Sequence, residues 1–172
     1  MKITLSRVFA SALAACLLLP GAARAKNVSA HDIPGLIEAL KAQGIPVEVD
    51  LDNKSDDGTA MPQIILTFEG DKYAMDFSSC RSKTDCDYIE LLSVYNDIEP
   101  DVAQKIIAKW NQAENFSSVI YVANGKGHIF SLYHYIVTSE DGISEKSLRA
   151  TLEYLARDSG EMVRIFQSLT KK

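Results

Sequence analysis

The sequence predicts an α+β domain in which an antiparallel sheet carries its helices on one face. Three observations predict it. Apolar residues recur at helical spacing in three separate stretches, period-two alternation fills the segments between them, and glycine turns join neighbouring strands as hairpins.

The chain of 172 residues opens with a different kind of segment. Lys2 and Arg7 make a short positive start, the apolar run from Val8 to Leu19 follows, and Pro20-Gly21 breaks it. That layout is a secretory signal peptide over residues 1–25, with Ala23-Arg24-Ala25 as the small-x-small cleavage pattern and Lys26 as the mature start. The run is well short of the roughly 20 residues that cross a hydrocarbon core, so no stable membrane insertion is expected after cleavage. Leu13-Ala14-Ala15-Cys16 has the shape of a lipoprotein box, a competing reading in which Cys16 is lipidated. Against it, Leu17-Leu18-Leu19 follows the cysteine directly, where a lipidated start leads into a polar tether.

A single domain is expected over 26–172. From Ser29 to Gln43, Ile33, Leu36, Ile37 and Leu40 fall on one helical face, with Pro34 in the first turn and Gly44 at the end. Ile45 to Leu51 alternates as a strand, and the polar run Asp52–Gly58 is a loop. Gln63–Glu69 and Lys72–Ser78 read as strands joined at Gly70-Asp71, and Asp87–Tyr95 as a further strand. Asp97–Asn111 returns to helical spacing, with Val102, Ile106, Ile107 and Trp110 facing inward. Ser118–Ala123 and Gly127–Thr138 form a second hairpin across Asn124-Gly125. A last helix follows Gly142, capped by Ser144. Its apolar face is Leu148, Leu152, Leu155, Met162, Val163 and Phe166, with Gly160 a weak point or a kink.

Removing the leader takes Lys2, Arg7 and Arg24 and no acid. The balance becomes 15 basic against 23 acidic residues, a net charge of −8. Nucleic acid and anionic membrane surfaces are bound mainly through Lys and Arg, so neither is an expected partner. Only Cys80 and Cys86 remain after cleavage, an even pair suited to an oxidising compartment, periplasmic or secreted. The two are expected to be bonded and to staple the connection between neighbouring strands. Their C-x5-C spacing differs from the C-x-x-C of redox-active pairs, which favours a structural bond.

No catalytic or metal constellation stands out, and no cofactor is expected. His128 and His134 lie six residues apart on one strand, about 20 Å at an extended rise, too far to share a metal. The acidic stretch Asp50–Gly58 suggests a calcium loop, but with Gly58 at the sixth position the twelfth is Ile64, where a bidentate Glu is required. Gly125-Lys126-Gly127 reads as hairpin chemistry, and no hydrolase, zinc-protease or nucleotide-binding motif is present. Trp110, Asn111 and Phe116 form the most pointed cluster, read either as core packing or as a ligand groove.

At that cluster the chain resembles the YbjN family of small bacterial proteins. The matching features are Trp110-Asn111, Phe116 five residues on, two strands about an Asn-Gly turn, and Gly142-Ile143-Ser144 leading into a last helix. The resemblance implies a fold similar to type III secretion chaperones, helix, three strands, helix, two strands, helix. It also implies a loose regulatory label without catalytic residues. The signal peptide and two cysteines set this sequence apart from cytoplasmic members and argue against a direct role in cytoplasmic signalling. The expected function is non-enzymatic, binding an unknown protein partner or a second copy through a sheet edge or helix face. The alternative is a small-ligand sensor near Trp110 and Phe116.

Overall fold

The computed structural model describes residues 27–170 apart from 56, 97, 125, 126 and 139. The expected signal peptide, its Ala25/Lys26 cleavage point and the competing Cys16 site lie outside the described residues.

Strand β1 (Asn27–Val28) leads through a 3-10 turn at Ala30–Asp32 into helix α1 (Ile33–Ala42). Sequence spacing places the helix start at Ser29. The α-helix starts four residues later because two caps act in succession. Ser29 Oγ accepts from the His31 amide at 3.1 Å, then Asp32 Oδ1 accepts from the Gly35 amide at 3.0 Å. Strand β2 (Val47–Asp50) is shorter than expected because the Ile45 amide donates to Leu40 O, closing the helix, and Pro46 has no amide to give a ladder.

Strands β3 (Gln63–Phe68) and β4 (Asp71–Ser78) meet one residue earlier than expected, at Glu69-Gly70, both with positive φ (52° and 93°). A two-residue turn of that type matches the twist of the flanking strands. Strand β5 (Tyr88–Asn96) and helix α2 (Pro100–Trp110) follow, then β6 (Ser118–Asn124) and β7 (Gly127–Val137), which pair from Ser118↔Tyr133 to Asn124↔Gly127. Gly125 and Lys126 of that connection lie outside the described residues.

The last two elements are β8 (Ile143–Ser144) and helix α3 (Glu145–Thr170), capped as expected by Ser144 Oγ, which accepts from the Ser147 amide at 3.0 Å. The helix runs unbroken through Gly160. Strands β1 and β8 pair with each other, a contact the sequence does not announce. Gly142 makes it possible, since a Cβ there would sit 2.4 Å from Val28 O.

The six longer strands form an antiparallel sheet in the order β2-β3-β4-β5-β7-β6. Four strands therefore separate α1 from α2, as the sequence spacing places them, one more than the three that the family resemblance implies. Register puts Ile64, Leu66, Tyr73, Met75, Phe77, Ile89, Leu91, Phe130 and Leu132 on one face, all buried. They join the buried stripes of all three helices in one core, so the helices cover that face alone. Along α3 the stripe holds Asp158, Ser159 and Ile165 beside the expected leucines, while Val163 stands at the rim, 40 % exposed.

Cys80 and Cys86 are bonded, at 2.04 Å, across the connection from β4 to the neighbouring β5. The closed loop also holds the start of α1, with the Cys86 amide donating to Ala30 O at 2.9 Å and the Ile33 amide to Thr84 O at 3.3 Å. Reduction is expected to lower stability by about 2 kcal/mol, the chain-entropy value for so short a loop. It should also speed amide exchange at Ile33 and Cys86. Urea unfolding with and without reductant measures the first, and coincident midpoints would count against it.

Candidate functional site

Between Ser118 and Val137 the only Lys, Arg, Asp or Glu is Lys126. These residues make β6 and β7, and β6 is the last strand of the sheet. A strand in that position offers main-chain groups on its outer side, and proteins commonly guard such edges with charge, proline or shortness. The opposite edge has all three guards. Strand β2 is four residues long, follows Pro46, and carries Glu48 and Asp50, with Glu48 paired to Lys72 at 2.9 Å. Strand β6 has seven residues and none of these guards.

The apolar character continues onto the helix-free face. Val94, Ile120, Val122, Tyr135 and Val137 stand there exposed, Val137 most of all at 65 %. Val94 and Ile120 both pair with Ser131, so a small side chain, only 6 % exposed, lies between two taller ones as the floor of a shallow trough. Tyr135 packs on Tyr88 with ring centroids 5.2 Å apart. Toward β3 and β4 the face turns polar. Gln63 Nε2 donates to Asp76 Oδ1 at 2.7 Å and Ser78 Oγ to Glu90 Oε1 at 3.2 Å, and burial pushes the Asp76 carboxyl up. The apolar region has a defined polar border on one side and, among the described residues, an unpaired strand edge on the other. Such a surface can take up an extended backbone and apolar side chains.

The expected cluster of Trp110, Asn111 and Phe116 is divided by the turn it spans. Trp110 is buried in the core, its indole donating to Ser117 O at 3.1 Å. Asn111 is exposed at the C-terminus of α2. Phe116 lies outside, stacked on His134 and Tyr154 at centroid distances of 4.2 and 4.7 Å. These residues secure the connection into β6 and do not meet around a common ligand space. The key partner is one that sequence reasoning missed. Asp158, 1 % exposed, accepts from the amides of Phe116 (2.9 Å) and Ser117 (2.7 Å) through Oδ2 and from Arg157 through Oδ1. The available signal was a carboxylate and a serine, Asp158-Ser159, inside an apolar stripe.

Burial lowers the His134 pKa, with Asp158 pulling weakly the other way. A histidine whose folded pKa lies below its unfolded value contributes stability above the unfolded value, near 6.5, and that stability falls away as pH drops through the folded pKa. The melting temperature should therefore fall more between pH 7.5 and 5 in the native chain than in His134→Phe, which keeps a ring in the stack. Parallel pH profiles would rule this out.

The remaining candidates have local structural uses. His31 Nδ1 lies 2.9 Å from Asp85 Oδ1 and 2.5 Å from Arg81 Nη2, and Arg81 also reaches Asp87 at 3.0 Å. Arg81 and then His31 hold the Asp85 carboxyl well below the usual carboxylate range. This ion-pair group fastens the disulfide loop against the start of α1. In the acidic loop, Asp57 Oδ1 accepts from Ser55 Oγ at 2.6 Å and from the Thr59 amide at 2.9 Å, so the carboxylate shapes its own turn. Asp56 and the His128 side chain lie outside what is described. Among the described residues no three His, Cys, Asp or Glu side chains converge to hold a metal, and no helix is long and apolar enough to cross a membrane. No family model, curated protein or solved structure matches this chain.

Proposed function

We propose that the chain is an exported, non-enzymatic binding protein that holds a partner polypeptide along β6, the first such partner being a second copy of itself. The observation that carries this is the contrast between the two sheet edges, one guarded by Pro46, Glu48 and Asp50, the other bare and continuous with an apolar face. Antiparallel pairing of β6 with its own copy about a two-fold axis joins the two sheets and brings both apolar regions together. Export rests on the leader sequence and on the Cys80–Cys86 bond, which persists in oxidising compartments. The order of helices and hairpins supports a YbjN-like, chaperone-like fold, with one strand added to the first set. A regulatory or chaperone-like role follows from that likeness.

The test is solution mass by light scattering across a dilution series. The native chain should run as a dimer. Val122→Lys places an ammonium in the paired region and should weaken dimerisation at least a hundredfold, about 3 kcal/mol, with circular dichroism unchanged. Glu48→Lys, on the guarded edge, should leave the dimer intact. A native chain that stays monomeric at every concentration removes this reading.

A further inference from the structure

On the helix-covered side of the sheet, away from the open face, α2 and α3 diverge over the ends of β5 and β7. A cavity of about 250 Å³ opens between them. Its floor is Ile106 of α2, Phe130 of β7 and Met162 of α3, all buried. Its rim is the end of β5 at Asn96 together with Val163 and Phe166 of α3. The rim explains why Val163, an apolar residue, remains exposed on a helix that otherwise buries its apolar stripe.

The lining limits what can enter. Among the described residues the lining carries no Lys, Arg, His, Asp or Glu, so a charged group drawn inside loses its hydration without a described side chain of opposite charge to compensate. The Tyr95 hydroxyl is already bonded to Ser159 Oγ at 2.7 Å, and Asn96, paired with Ile129, carries its side chain on the open face of the sheet, so among the described lining residues no side-chain polar group is left to meet a ligand inside. A cavity of about 150 Å³ accepts benzene, so this one accommodates roughly ten carbon atoms. We infer that the cleft between α2 and α3 binds a neutral, largely apolar molecule, a chain or ring system of about ten carbons whose single uncharged polar end stays at the solvent-exposed mouth.

The inference does not depend on pairing at β6, because the cleft and the open face lie on opposite sides of the sheet. Trp110, the only tryptophan, sits one helical turn beyond Ile106 and serves as an internal reporter. The experiment is titration of the full purified chain with 1-decanol and, at pH 8, with decanoate, followed by Trp110 fluorescence and thermal melting. The expected result is saturable binding of the alcohol with a raised melting temperature, and at least tenfold weaker binding of the carboxylate. Met162→Phe, which fills the floor, should weaken decanol binding at least tenfold, and Ile106→Phe does the same from the other wall if the first variant fails to fold. Absence of a decanol response in the native chain overturns the inference. So does equal affinity for decanol and decanoate, or undiminished binding in a folded filling variant.

Discussion

Asp158→Ala is expected to lower stability by about 3 kcal/mol, a large share of the roughly 5–15 kcal/mol that holds a domain of ordinary size folded. The carboxylate is buried and is the acceptor for two successive main-chain amides, those of Phe116 and Ser117. Alanine leaves both amides without that acceptor, at about 1–3 kcal/mol for each buried unsatisfied group, and removes the ion-pair partner of the half-exposed Arg157 guanidinium. Asp158→Asn keeps one acceptor oxygen in place and should lose about half as much. Urea unfolding compares the three chains. An alanine variant within 1 kcal/mol of the native chain, about a fivefold change in the folding equilibrium, would mean the turn is held by something else.

Trp110→Ala is the second large effect, expected at about 3–5 kcal/mol. It removes the bulkiest side chain of α2 from the core together with the indole donor to Ser117 O. Trp110→Phe separates the two contributions, since it keeps most of the apolar area and loses only the hydrogen bond, about 1 kcal/mol. Trp110 and Asp158 grip the same seven-residue connection from opposite sides, one at Ser117 O and the other at the Phe116 and Ser117 amides. Their alanine variants should therefore combine to less than the sum of the single effects, because the second change acts on a turn already released. Additive losses would show two independent anchors. The connection leads straight into β6, so either variant, where it still folds, should also weaken the proposed pairing along β6.

The parts of the fold that were legible share one property. Each is written in residues close together in sequence. The α1 stripe Ile33, Leu36, Ile37 and Leu40, the Ser144 cap and the Cys80–Cys86 bond each complete themselves within a few residues. The β3–β4 hairpin was found but displaced by one residue, because Glu69 also takes the positive φ that only the glycine advertises. The β1–β8 pair was missed, since two-residue strands have no period and their partners lie more than a hundred positions apart.

The candidate site was legible only in part. Trp110 and Phe116 stood out as aromatic residues, but whether they enclose a ligand or pin a turn depends on Asp158, 42 residues beyond Phe116. Strand β7 is apolar on both faces, with Phe130 and Leu132 alternating against Ile129, Tyr133 and Tyr135, so its alternation does not say which face the helices cover. The charge-free run from Ser118 to Ala123 was readable. That it forms a sheet edge was not.

The α+β class, the three amphipathic helices, the two hairpins and the cysteine staple are all encoded locally, because period, turn chemistry and capping act between near neighbours. Strand order, the identity of the end strands, the face left open and the cleft between α2 and α3 emerge only when the elements pack together. Those features depend on how elements far apart in the chain share one core, and burying all three helices on a single face commits the other face, and the end strand β6, to solvent or to a partner.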